Sequence, residues 1–157
     1  MADLVRYRNG FCAVLLALAH GCMGPDGAAA AAEASCARTD FEAVVDDAGE
    51  KLRELTQKNS PAFQAKLRLL KDKRGWSHDQ FMAEGVRFVR DEKIAEFEAQ
   101  SSTLLAKING AGAEAGGATA VECSQLAALQ ADMAALVSLQ VEKWSYMFGS
   151  IDGELAK

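Results

Sequence analysis

The sequence predicts an all-α protein, an elongated antiparallel helical bundle of three long arms, the first kinked at Pro61, with a disulfide near one end. Three observations carry that prediction. Beyond residue 34 the chain is rich in Ala, Leu, Glu, Gln and Lys and keeps a single proline, Pro61, a composition that favours helix. Apolar residues recur at helical spacing through most of it. Three S/T-x-x-E/Q boxes, in which a side chain at each end satisfies a free backbone N–H, mark helix starts at Thr39, Ser77 and Thr119.

The first helix is expected from about Asp40 to Lys58, with Phe41, Val44, Val45, Ala48, Leu52 and Leu55 on one apolar stripe. Asn59-Ser60-Pro61 interrupts the pattern, and proline suits a first helical position because its missing N–H would be unpaired there anyway. Phe63, Leu67 and Leu70 carry the stripe on to about Arg74, where Gly75 ends it. A long helix then runs from about His78 to Ile108, its core face built from Phe81, Phe88, Val89, Ile94, Phe97, Leu104, Leu105 and Ile108. Asn109-Gly110 stops it, and the Gly/Ala-rich stretch 110–118 is expected to be a flexible loop. The last helix starts at the Thr119 box and carries Leu126, Leu129, Met133, Leu136, Val137, Val141, Trp144 and Phe148, ending before Gly149.

Residues 1–34 read as a cleaved secretory signal peptide. Arg6 and Arg8 give a positive start, Phe11 to Ala19 is a short apolar run, Gly24-Pro25 breaks it, and Ala32-Glu33-Ala34 offers an A-x-A cleavage site before Ser35. The apolar run is shorter than the ~20 residues a membrane span needs. Ala19-His20-Gly21-Cys22 matches a lipoprotein motif badly, with alanine in place of leucine. The mature domain is then 35–157, and a periplasmic or secreted location follows. It is an oxidising one, where Cys36 and Cys123, the cysteines that survive cleavage, pair as a disulfide.

That pairing selects the topology. If Pro61 reversed the chain, an up-down-up-down bundle would put the starts of the first and last helices at opposite ends, tens of ångströms apart at about 1.5 Å per residue. A disulfide needs Cα atoms within about 7 Å. A first arm that only kinks at Pro61 brings Cys36 and Cys123 to the same end.

Charge and motif exclude several classes of function. Removing residues 1–34 takes away Arg6, Arg8, Asp3, Asp26 and Glu33, so the net charge moves from −5 to −4, against a nucleic-acid partner. No apolar run of transmembrane length follows the signal. His78 is the one histidine beyond the signal; flanked by Ser77 and Asp79 at a helix start, it forms no triad, because successive side chains there point about 100° apart. One histidine and two bridged cysteines make no zinc site, and no cofactor motif is present. Asp46, Asp47, Glu50 and Glu54 read as a solvated helix face with i,i+4 partners at Lys51 and Lys58.

Two clusters stand out as binding candidates. Lys66, Arg68, Lys71, Lys73 and Arg74 form a local cation excess beside Trp76, suited to an anionic envelope component or an envelope protein, or to complementing a helix C-terminus. Trp144, Tyr146, Met147 and Phe148 cluster near the end of the last helix, with Trp144 and Phe148 expected in the core and Tyr146 and Met147 at its margin. The sequence therefore predicts an exported small helical protein that acts by non-covalent binding, as an interaction, chaperone-like or inhibitor module. A small secreted enzyme with a charged site between helices is the alternative.

Overall fold

In a computed structural model, which describes residues 35–117 and 121–157, the chain is all-α with one disulfide. The signal-peptide reading, with its Ala32-Glu33-Ala34 site, lies outside the described residues. Four helices, α1 (Arg38–Arg74), α2 (His78–Gly85), α3 (Glu92–Gly117) and α4 (Cys123–Leu155), follow in order, with a 3₁₀ turn at Val86–Phe88 between α2 and α3. Two-residue strands β1 (Ser35–Cys36) and β2 (Val121–Glu122) pair antiparallel, Ser35 opposite Glu122 and Cys36 opposite Val121.

α1 continues as helix through Pro61. It ends where Gly75, at φ 62° and ψ 31°, takes the left-handed conformation, and the Trp76 N–H reaches back to the Lys71 carbonyl at 3.0 Å. Its start differs from expectation: the Asp40 carboxylate, one residue after the predicted Thr39 box begins, accepts from the Ala37 N–H at 3.1 Å. The Ser77 box forms as expected, with Gln80 N–H to Ser77 Oγ at 3.2 Å and Ser77 N–H to Gln80 Oε1 at 2.9 Å.

The expected helix from His78 to Ile108 is split. Asp91 is the reason: its Oδ1 accepts the Ile94 N–H at 2.8 Å and its carbonyl accepts the Ala95 N–H at 2.9 Å, so α3 begins afresh there. The interruption lets Phe88 turn into the core. At its other end α3 overruns the expected loop, since residues 110–117 are helical. Alanines interleaved with the glycines supply enough propensity to continue it. α4 starts at Cys123 rather than at Thr119, which lies outside the described residues, and it runs through Gly149 and Gly153 to Leu155. Burial of Ile151 outweighs the cost of the two glycines.

α4 is the common partner. It packs along both α1 and α3, while those two are not themselves closely packed. Contacts near the start of α1 are with the start of α4, and Lys73 and Arg74 reach residues 154–155, so α1 and α4 run parallel. α3 runs the other way, as Lys107–Asp132, Ser101–Gln140 and Glu98–Lys143 show.

The interior forms two clusters. Phe63, Leu70, Phe88, Ile94, Met147 and Ile151, backed by Trp76, Trp144 and Phe148, fill the end where α1 and α4 finish. Ala48, Ile108, Leu129, Met133 and Leu136 form a second cluster towards the disulfide. Met147 is buried, correcting its expected marginal position, because α4 turns its 129, 133, 136, 147 and 151 positions inward. Val45, Val89, Leu105 and Val141, assigned to the core from spacing, are exposed.

Candidate functional site

The basic cluster at the end of α1 is largely engaged within the fold. Lys66 pairs with Asp152, Lys73 donates to the Leu155 carbonyl, and Arg74 donates to the Glu154 carboxylate at 2.9 Å. These cations satisfy the last carbonyls and acids of α4, where the helix dipole favours positive charge. Glu154 also accepts from Lys157 and faces Arg87, and these cations hold its carboxyl below the usual carboxylate range, the Lys157 hydrogen bond being the largest cause. Lys71 lies over the Phe81 ring at 5.7 Å. Arg68 stays exposed, and Trp76 packs against the core rather than presenting its face to solvent.

The aromatic candidates divide in the same way. Trp144 and Phe148 pack edge-on against Phe63, at 6.1 and 5.5 Å between ring centroids. Tyr146 sits at the surface beside Phe97, its O–H donating to Asp91 Oδ2 at 2.6 Å. That bond lowers the Asp91 pKa and raises that of Tyr146. Asp91 thus ties α4 to the start of α3 with one carboxylate oxygen while capping α3 with the other.

The opposite end of the molecule is hollow. A groove of about 1010 Å³ opens between α1 and α3, with α4 as its floor. Phe41, Val45, Leu105, Ile108, Leu129 and Met133 make its lining mostly apolar. Val45 and Leu105, on its two rims, are 44 and 46 % exposed. A smaller hollow of about 250 Å³, lined by Leu52, Leu55, Leu105, Leu136 and Trp144, adjoins it at Leu105. The disulfide, with Cα atoms 5.0 Å apart, ties β1 to the start of α4 at the same end.

Polar side chains also reach the groove, namely Arg38, Glu42, Asp46, Lys107, Asn109, Gln125 and Asp132. Asp132 is buried on its α3 side and accepts from Lys107 at 2.7 Å. Glu42 and Asp46 stand on the α1 rim. Spacing did not single out this site, because Asp132 looks like an ordinary helix acid and Val45 and Leu105 like core residues. One signal was available: Asp132 adjoins Met133 on the inward stripe of α4, where an acid requires a partner.

His78 is exposed at the start of α2, and among the described residues no group of three His, Cys, Asp or Glu side chains is placed to hold a metal. The acidic face of α1 contains one of its expected pairs, Asp47 with Lys51 at 2.5 Å. No described helix is long and apolar enough to cross a membrane. No protein-family model, curated protein or solved structure matches the chain.

Proposed function

We propose that this is an exported helical protein that acts by non-covalent binding in the periplasm or outside the cell, using the groove between α1 and α3 as its contact surface. The observation that carries this reading is the apolar groove itself: large aliphatic side chains line it and two of them, on facing rims, are left to solvent. The basic cluster supports the reading by elimination, since Lys66, Lys73 and Arg74 are engaged by α4 and are poorly disposed to hold an anionic envelope component or to line a catalytic pocket.

Export supplies the compartment in which the Cys36–Cys123 bond persists. Photo-crosslinking side chains at positions 45 and 105, with position 141 as an exposed apolar control outside the groove, test the surface in the native host. The expected result is a discrete adduct from 45 and 105 and none from 141, on protein whose N-terminus lies near Ser35. Equal labelling from position 141, or recovery of full-length cytosolic protein alone, overturns the reading.

A further inference from the structure

The groove and the hollow beside it form one trough, because Leu105 lines both and their floors follow one another along α4. From Gln125 to Trp144 that floor is about 30 Å long at ~1.5 Å per residue, the length of a helix of roughly 20 residues. α1 and α3 flank α4 without packing closely on each other, so the described fold lacks a rod on this side. A fourth helix would complete a bundle whose other three members are already in place.

Charge selects the kind of helix. Glu42 and Asp46, on the α1 rim, have no ion-pair or hydrogen-bond partner among the described residues. On the other rim the Lys107 ammonium is already held by Asp132. Arg38, at the mouth of the trough, is engaged as well. The trough therefore offers an apolar floor with two acids on one edge, Glu42 and Asp46, that no described residue pairs. An anionic lipid headgroup would meet repulsion at that edge, and in the basic helical segment that a second copy could offer, Lys66, Lys73 and Arg74 are already held by that copy's own α4.

We infer that the trough takes an amphipathic helix of a partner protein, its apolar stripe on α4 and its Lys or Arg edge along Glu42 and Asp46. The inference rests on the groove being the contact surface and adds what fills it. Recognition of this kind reads apolar anchors at i, i+3, i+4 and i+7 from one face of the incoming helix.

The test uses the exported protein, residues 35–157, with its disulfide intact, and fluorescein-labelled synthetic helices of 20 residues, followed by anisotropy at low ionic strength. One helix has a Leu stripe with a Lys edge, a second the same stripe with a Glu edge, and a third the Lys edge with a central proline. The Lys-edge helix should bind about five- to tenfold tighter than the Glu-edge helix, as two exposed ion pairs allow, and the proline version should lose binding. Glu42→Gln with Asp46→Asn should remove that preference and leave binding. Val45→Lys with Leu105→Lys should abolish binding, and because both positions are exposed the folded state should survive.

Equal affinity for the Lys-edge and Glu-edge helices overturns the inference. So does a dansylated fatty acid that binds in a Val45→Lys/Leu105→Lys-sensitive manner when neither helix binds, a result that keeps the groove as the contact surface. Failure of every probe, together with no adduct from positions 45 and 105, removes both readings.

Discussion

The two ends of this molecule are built from different materials. Where α1 and α4 finish, aromatic and branched side chains from all three long helices interlock around Phe88 and Ile151, which are 2 and 0 % exposed, and Lys66, Lys73 and Arg74 bind the last turn of α4. Where α1 and α4 begin, the contacts are made mainly by aliphatic groups, Ala48, Ile108, Leu129, Met133 and Leu136, the space between α1 and α3 is open, and a covalent bond ties β1 to the start of α4. A closely packed end leaves no room for a ligand; an end held by a disulfide can keep an apolar hollow and still stay folded.

The strongest way to break this contrast is to remove the bond. Cys36→Ala with Cys123→Ala opens a loop whose ends are 87 residues apart, and the chain-entropy model assigns about 4–5 kcal/mol to its closure. Denaturant unfolding should lose most of that amount. Amide exchange should accelerate first in α1 near Phe41 and in the opening turns of α4, while amides around Phe88 and Ile151 remain protected. Uniform acceleration along α4 would show that the two ends are not separately maintained.

A second experiment sharpens the comparison through glycine. At Gly112 on the hollow side, and at Gly149 and Gly153 on the packed side, an added Cβ would meet nothing within 4 Å. Each replacement by alanine should therefore stabilise its helix by about 0.5–1 kcal/mol, as measured by the shift in denaturation midpoint. A gain at Gly149 and Gly153 with none at Gly112 would mean that α3 ends earlier than Gly117.

The smallest expected effect belongs to the link between Asp91 and Tyr146. The hydrogen bond holds the Asp91 pKa below its unfolded value, so its contribution is present at neutral pH and is lost as pH falls through the lowered folded value. The Tyr146 phenol is shifted the other way. Its contribution is complete below the unfolded phenol pKa, about 10, and is lost as pH rises through the raised folded value. Wild-type protein should keep a small melting-temperature advantage over Tyr146→Phe across neutral pH, shrinking below about pH 4 and again above about pH 10. An advantage that does not change with pH would mean that the variant loses ring packing on Phe97 rather than the bond.

Local chemistry made much of this fold legible. The Ser77–Gln80 box and the Gly75 stop were readable because capping depends on residues within a few positions of one another. Pairing the two cysteines required the signal-peptide reading, which sets Cys12 and Cys22 aside, and one length argument, which also told against a chain reversal at Pro61, through which α1 is continuous. The candidate site was less legible. Spacing treats every apolar residue on a helical face alike, so Val45 and Leu105 looked like core, and the cations from Lys66 to Arg74 looked available.

By itself the sequence determined the helical class, the helix stop at Gly75 and the start at Ser77, and which cysteines could meet, because propensity, capping and loop geometry act over short stretches or on few residues. Tertiary structure decided the rest. It opened the groove by setting α1 and α3 on α4 without packing them closely on each other, and it committed Lys66, Lys73 and Arg74 to the end of α4 across 80 or more positions of sequence. It also carried α4 through Gly149 and Gly153, because burying Ile151 outweighs the helix cost of two glycines.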